Sequence, residues 1–317
     1  MAQYFVRRLW QLFPLLIGIS LVIFVIIQAA PGGPEAMLYQ TGRFVSPDVV
    51  EAYRQRLGVD KPIYVQYYRW ITATLRGDLG ISFSTTRPVL DMIVERMPST
   101  LELMTVAFVI AAFIAIPLGV FSALNKYSFF DLFGTGVSFL GIAMPVFWFG
   151  LMLQLLFGVQ LGWLPVTGTQ TVSDTNTWDH IKHLIMPATV LSLRYIAGWS
   201  RYMRSSLLTV NQLNYIVTAR AKGLGEIMII LRHAMKNALI PVVSIMALSV
   251  ADLFSGAVIT ETIFAWPGIG RLFIQSMNAR DYSLLMGILM MGSFMVVFFN
   301  LVADLVYGWL DPRISYE

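Results

Sequence analysis

Six long apolar runs dominate the sequence and restrict the chain to a membrane fold. They lie at residues 9–30, 103–124, 132–158, 184–208, 239–264 and 284–306. A helix of about 20 apolar residues crosses the roughly 30 Å hydrocarbon core of a bilayer, and each run is long enough for one. The chain is 57% hydrophobic and only 13% charged, whereas soluble domains carry about 25% charged residues. The sequence therefore predicts an all-α, polytopic membrane protein with six transmembrane helices.

The basic residues of the short connections predict the orientation of these helices. Residues 201–236 contain six Lys or Arg side chains and one acidic side chain, Glu226. Short loops rich in Lys and Arg stay in the cytoplasm. An even number of spans then places both termini on that side of the cell membrane. The first run is too long for the apolar core of a signal peptide, so we expect it to be retained as a helix.

Because successive spans alternate in direction, the predicted orientation divides the chain into three parts. Residues 1–30 are the first transmembrane helix, residues 31–98 an extracytoplasmic segment, and residues 99–317 a core of five further spans with a cytoplasmic loop at 209–238. In the extracytoplasmic segment, Ser46 followed by Pro47 is typical of a helix start, and Gly58 of a helix end. A second helix is predicted for residues 63–75. This segment is either a docking surface or a solvated connector.

Motifs for catalysis and cofactor binding are missing from the sequence. It has no GxxxxGK[ST], HExxH or GxSxG motif and no cysteine. His180 and His183 form one i, i+3 pair, which at a membrane interface is more often a polar helix face than a metal site. We therefore expect a chain that is not an enzyme, that binds no cofactor or metal, and that contacts the lipid bilayer but no nucleic acid.

Charged side chains inside the apolar runs mark candidates for a translocation pathway. An ionisable group at membrane depth costs several kcal/mol unless it lines a polar pathway or has a partner. The candidates are Arg194, Asp252 and Glu261. Asp252 could equally pair with Arg194 or lie against another subunit. Glu261 and Asp304 lie near span ends, where we expect them to be hydrated. A proton-coupled carrier would use such residues too.

The basic stretch YIVTARAKGLGEIMIILRHAMKNALIP at 215–241 interrupts the apolar runs. Its first part predicts a helix of two to three turns that stops at Gly223, and a second helix follows from about residue 227. One interpretation is a basic helix that anchors the loop on anionic lipid. The other is a short rigid lever that docks into a groove of a soluble partner.

This stretch resembles the cytoplasmic coupling loop of ABC importer permeases, in the form found in the dipeptide/oligopeptide branch. Ala219 and Gly223 match the core of the loop motif, whereas Val217 replaces its glutamate. Seven further segments resemble the B-type subunit of that branch: APG at 30–32, GDLGIS at 77–82, ERMPSTLEL at 95–103, RSSLL at 204–208, ETIFAWPGIGRL at 261–272, ARDYSL at 279–284 and LDPRI at 310–314.

The resemblance implies a type I ABC importer permease that imports dipeptides or oligopeptides, or alternatively nickel chelates or oligosaccharides. It implies four partners: a second, C-type permease subunit, two ATPase subunits that hold ATP and Mg²⁺, and an extracytoplasmic solute-binding protein. The residues it assigns to ATPase coupling are Ala219, Arg220, Ala221, Lys222, Gly223 and Leu224. From the residues alone, a proton-coupled secondary carrier is the alternative from a different class.

Overall fold

The structure is a computed structural model that describes residues 2–29, 60–171 and 176–310, together with residues 48, 50 and 51. These residues are mostly helical, with an isolated β-bridge between Ile81 and Pro88, and no strand lies among them. The predicted all-α class is confirmed. The predicted helix between residues 46 and 58 falls largely outside the described residues.

The helices of the described chain are numbered in order from the N-terminus. The first five are α1 (Ala2–Ala29), α2 (Ile63–Leu75), α3 (Val89–Leu124), α4 (Phe129–Ala143) and α5 (Val146–Leu153). The others are α6 (Thr177–Val210), α7 (Asn214–Ala221), α8 (Glu226–Met228), α9 (Met235–Ile263), α10 (Ile269–Asn278) and α11 (Tyr282–Leu310). A π-helical segment extends α5 over Gln154–Gln160, and another joins α8 to α9 over Ile229–Ala234. The helix predicted for residues 63–75 is confirmed as α2.

Four helical stretches of the described chain are long and apolar enough to cross a membrane. They are Trp10–Ala29, Val89–Leu124, Glu226–Ala251 and Tyr282–Leu305. The pair formed by α4 and the α5 segment makes a fifth if the two count as one span. The fourth predicted run lies in α6, which carries Arg194, Arg201 and Arg204 and is not among these stretches. The count of six spans stays a prediction.

The run at 132–158 is not the single helix that the sequence predicted. α4 and the α5 segment meet at an angle of 105°. Met144 between them has an extended backbone, with ψ of 127°, and Pro145 follows it. A residue before proline is sterically disfavoured in the helical region, and proline has no N–H to donate to the preceding turn. The Met144–Pro145 pair therefore breaks the helix.

Residues Met1–Thr100 and Pro267–Val297 form one compact unit. Its core contains Leu79, Val89, Ile93, Leu284 and Ile288. A Cβ atom on Gly287 would collide with the Val89 side chain, so glycine is needed for this close approach.

A buried carboxylate fixes the start of α11 within that unit. Asp281 has no exposed surface and accepts hydrogen bonds from the Ser82 hydroxyl at 2.6 Å, the Phe83 N–H at 3.1 Å and the Ser84 N–H at 3.1 Å. It also accepts from the N–H of Leu284 at 3.1 Å, as an N-cap residue does. The GDLGIS and ARDYSL segments thus meet at one carboxylate.

Residues Leu101–Trp266 and Phe298–Glu317 form the second unit, in which α6 packs mainly against α9 and α4. On α3, the buried residues Ala107, Ala111 and Ala115 continue the four-residue spacing to Gly119. A row of small residues lets two helices approach closely. At Gly119 the approach is so close that a Cβ atom would lie 2.6 Å from the backbone oxygen of Ser200 on α6.

Replacing Gly119 tests this contact. We expect Gly119→Ala to lower the stability of the purified protein by about 1–3 kcal/mol, the usual range for overpacking, because the added methyl group meets backbone. Gly136 on α4 is the matched control, since a Cβ atom there has nothing within 4 Å. Thermal unfolding in detergent measures both. Equal melting temperatures for the two variants would contradict the packing described here.

Candidate coupling site

The candidate coupling helix α7 ends in a defined stop. The N–H of Gly223 donates to the Arg220 carbonyl at 2.9 Å, and the N–H of Leu224 donates to the Ala219 carbonyl at 3.4 Å. These two bonds are those of a Schellman motif, whose residue after the cap has left-handed backbone angles. Gly223 has φ of +78°, which glycine adopts at no steric cost. The helix stop that the sequence predicted at Gly223 is confirmed.

One face of α7 is built into the core of the second unit. Ile216 is fully buried and Ala219 is 7% exposed, and their spacing of three residues puts them on the same side of the helix. They belong to the same apolar cluster as Leu207 at the end of α6 and Ile229 and Ala234 after the turn. Ala219, assigned above to coupling, therefore anchors the helix instead of presenting a contact surface.

Two polar contacts tie α7 to the chain that follows it. The Arg220 guanidinium donates to both carboxylate oxygens of Glu226, from Nε at 2.7 Å and from Nη2 at 3.2 Å. The Asn237 side-chain amide donates to the Tyr215 hydroxyl at 2.7 Å. One contact lies near each end of α7, so together with the buried face they fix its orientation on α8 and α9.

The other side of α7 is open. Val217, Arg220, Ala221, Lys222, Gly223 and Leu224 are all exposed. The sequence analysis missed an apolar extension of this surface, formed by the exposed side chains of Ile227, Met228 and Leu231. The i, i+4 spacing of Ile227 and Leu231 indicates one helix face, but in the apolar run IMIIL the buried residues are Ile229 and Ile230. Sequence alone does not distinguish the two faces.

The pathway candidates lie in different environments. Arg194 is exposed on α6, whereas Glu261 has no exposed surface near the end of α9. The expectation that Glu261 is hydrated is wrong, because the chain packs around it: the N–H of the fully buried Trp266 donates to the Glu261 carbonyl at 2.8 Å. Asp304 is half-buried. The side chain of Asp252 lies outside the described residues.

The two histidines at the other end of α6 contact protein groups. Nε2 of His180 lies 2.6 Å from Glu102 Oε1, and Nδ1 lies 3.0 Å from the Thr169 carbonyl. Nδ1 of His183 lies 2.9 Å from the Asp179 carbonyl. Among the described residues, no group of three or more His, Cys, Asp or Glu side chains is arranged to hold a metal ion.

The His180 contacts favour its protonated form. A carbonyl oxygen can only accept a hydrogen bond, so Nδ1 carries a hydrogen, and a carboxylate at Nε2 makes a second hydrogen favourable. Burial opposes the charged ring, but the hydrogen bonds to Glu102 and to the Thr169 carbonyl outweigh it and raise the pKa of His180 above 6.5. The Thr171 N–H and hydroxyl, at 2.6 and 2.9 Å, lower the pKa of Asp179.

Comparison with known proteins identifies the family of the chain. Residues 115–316 match the binding-protein-dependent transport system inner membrane component family, and residues 1–104 match the N-terminal region of such membrane components.

The chain belongs to this family.

Full-length relatives support the assignment. The chain is 42% identical over 318 residues to the oligopeptide transport system permease protein AppB of Bacillus subtilis, with all of both chains covered. It is 38% identical to the dipeptide transport system permease proteins DppB of Alkalihalophilus pseudofirmus and of Escherichia coli K12, again with full coverage of both chains. The resemblance to B-type permeases of the dipeptide/oligopeptide branch is confirmed, and the chain is a multi-pass membrane permease and not itself an enzyme.

Solved structures share the fold of this permease. A chain of the inward-facing MetNI methionine ABC transporter aligns with a TM-score of 0.57 at 14% identity, covering 69% of this chain and 96% of that one. A chain of an amino acid ABC transporter solved with histidines aligns with a TM-score of 0.51 at 16% identity, covering 68% and 93%. The type I importer fold predicted from the sequence is confirmed.

The His180–Glu102 contact predicts a pH dependence of stability. Since the pKa of His180 is raised in the folded protein, the stabilisation is fully present below pH 6.5, the ordinary value, and is lost as the pH rises through the raised value. Melting temperatures of the purified protein across this interval measure the loss. His180→Gln should remove the extra slope, whereas His233→Gln, a control in the second π-helical segment, should keep it. Parallel profiles for the parent protein and His180→Gln would contradict the prediction.

Proposed function

We propose that this permease forms the transmembrane pathway of an ATP-driven importer of dipeptides or oligopeptides. It would pair with a C-type permease, receive substrate from an extracytoplasmic binding protein, and rest on two ATPase subunits that hold ATP and Mg²⁺. Full-length identity to relatives whose names specify oligopeptide or dipeptide transport supports this substrate class. Family membership favours an importer with ATPase partners over a proton-coupled carrier.

The observation that carries the coupling proposal is the attachment of α7. A coupling helix must be attached firmly to the transmembrane helices that it moves, and its opposite face must be accessible to the ATPase that moves it. The buried side of α7 meets the core through Ile216 and Ala219, the Arg220–Glu226 and Tyr215–Asn237 contacts hold its two ends, and its opposite side is exposed. In the proposed cycle, closure of the ATPases displaces α7, and α6 and α9 move with it.

The driving force in this cycle comes from the ATPases. A ligand shifts a conformational equilibrium only by the difference in its affinity for the two states. ATP that binds better to the closed ATPase pair would therefore favour the permease state that the closed pair accommodates. The task of this chain is to connect the two equilibria, which requires α7 to stay rigid while the spans rock as bodies.

The assembled transporter in proteoliposomes tests the function. We expect the ATPase rate to rise when the binding protein is loaded with dipeptides or oligopeptides, and labelled peptide to accumulate with ATP hydrolysis. Binding protein loaded with a nickel chelate or an oligosaccharide tests the other substrate classes of the branch, and stimulation by one of these alone would contradict peptide import. Peptide uptake by the purified chain alone under a pH gradient would contradict the ATP-driven mechanism.

The stop at Gly223 provides a matched pair of variants. A Cβ atom has nothing within 4 Å at either Gly223 or Gly225, but φ is +78° at Gly223 and −65° at Gly225. Alanine in the left-handed region costs about 1–2 kcal/mol. We therefore expect Gly223→Ala to disturb the end of α7 and reduce peptide transported per ATP hydrolysed, with Gly225→Ala unaffected.

The ratio of transported peptide to hydrolysed ATP, measured in the same proteoliposomes, is the readout for this pair. ATPase activity without the binding protein reports whether the complex still assembles. If both variants transport with the ratio of the parent protein, the geometry of the α7 stop has no part in coupling.

A further inference from the structure

The RSSLL segment at 204–208 lies at the end of α6, immediately before the coupling helix, and its contacts extend well beyond α7. Arg204 donates from Nε to Asp131 Oδ1 and from Nη2 to Oδ2, both at 2.7 Å. Such a two-pronged, charge-assisted pair fixes direction as well as distance. Asp131 is in the first turn of α4, so this pair joins α6 to α4.

The Asp131 carboxylate also binds the end of α3 and the turn that follows. It accepts hydrogen bonds from the Ser122 hydroxyl on α3 and from the N–H of Tyr127 at 2.9 Å. The carboxylate side chain is only 3% exposed. A buried ion pair is strongly held when its remaining positions are also hydrogen-bonded, as they are here. Three helices, α3, α4 and α6, therefore meet at one carboxylate.

Small residues form the rest of the buried face of α4: Gly134, Ser138 and Gly141. Gly141 lies against the Leu193 side chain of α6, where a Cβ atom would be 3.2 Å from Leu193 Cγ. Ser138 and Ser200 approach at 3.4 Å between hydroxyl oxygens, a weak contact. A small cleft borders the ion pair on this interface, lined in part by Thr135 and Arg201. Of the contacts described between α4 and α6, the ion pair is the most directional.

The same end of α6 is tied to α9 and α7. The Ser206 hydroxyl donates to the Ala238 carbonyl of α9 at 2.8 Å. Leu207 is fully buried in the cluster that contains Ile216 of α7. The last turns of α6 thus connect the coupling helix to α9 on one side, through Ser206, and to α4 on the other, through Arg204.

We propose that Arg204 and Asp131 are positioning residues for transport: their ion pair makes α4 follow α6 when the coupling helix is displaced. This inference rests on the proposed coupling function of α7. α4 is about 22 Å long at 1.5 Å per residue and ends at the bend before Pro145. A displacement of the Asp131 end is therefore passed along α4 to the α5 segment. Without the pair, α6 slides along the small residues of α4 and the displacement is lost.

Arg204→Lys in the assembled transporter is the first test. Lysine keeps the charge but cannot bind both carboxylate oxygens in the fixed geometry of a guanidinium. We expect peptide transported per ATP hydrolysed to fall about three-fold or more, with ATPase activity in the absence of binding protein unchanged. Arg201→Lys is the matched control: Arg201 lies on the same helix and lines the same cleft, and its guanidinium lies 5.3 Å from the centre of the Phe139 ring of α4. A ratio for Arg204→Lys equal to that of Arg201→Lys overturns the inference.

A second variant separates positioning from stability. Asp131→Asn with Arg204→Met removes both charges of the pair and keeps a side-chain oxygen that can accept the Ser122 and Tyr127 hydrogen bonds, so this variant should fold even if Arg204→Lys does not. We expect this double variant to keep the melting temperature of the parent protein and to remain uncoupled. If it transports with the parent ratio, the pair serves stability alone and the inference fails.

The α4–α6 register can also be measured directly. The chain contains no cysteine, so spin labels at Gly136→Cys and Ser205→Cys report the distance between the two helices by pulsed electron resonance. We expect one narrow distance, with and without nucleotide, in the parent background and a broadened distribution with Arg204→Lys. A narrow distribution with Arg204→Lys contradicts the register argument. If Gly223→Ala uncouples transport and Arg204→Lys does not, this inference fails while the proposed function stands.

Discussion

The close contact of α6 with its neighbours is the interaction on which the second unit depends. Small residues on α3 bring the backbone of α6 within reach, and α9 closes the other side around buried Trp199, Met203 and Leu207. In lipid, helix association depends on such packing, since burying an apolar side chain among others gains little over leaving it in hydrocarbon. The buried face of α7 completes the same cluster, which holds α7 against this core.

Polar contacts are concentrated where helices end. At the start of α11, the Asp281 carboxylate accepts hydrogen bonds from the loop that contains Ser82. The Asp131 carboxylate binds groups from three helices, and Glu226 accepts from Arg220 across the turn after α7. The apolar faces determine which helices pack together. A face of small residues defines the axial register between two helices less tightly than a face of large ones. Directional, charge-assisted bonds at the ends define it. A transporter whose helices move as bodies needs both kinds of contact.

Much of the fold could be predicted because the segments that are stable in a lipid bilayer are recognisable by their apolar composition. The apolar runs predicted the long helices, the composition predicted the class, and Gly223 predicted the end of the coupling helix, since a positive φ is costly for other residues. The bend at Pro145 has a local cause too, because a residue before proline is disfavoured in the helical region. The burial of Glu261 could not have been predicted, because it depends on how segments that are distant in sequence pack around the end of α9.

The sequence by itself determined that the chain is a helical membrane protein whose motifs resemble importer permeases, with a basic segment between two of its long helices. Local chemistry is enough for this, because hydropathy identifies the long apolar helices and Gly223 identifies the end of α7. Tertiary structure alone decided that Ala219 is buried in the core, that Asn237 binds Tyr215, and that Arg204 reaches Asp131. These partners lie between 22 and 73 residues apart, and their pairing follows from how helix faces dock, which no short segment specifies.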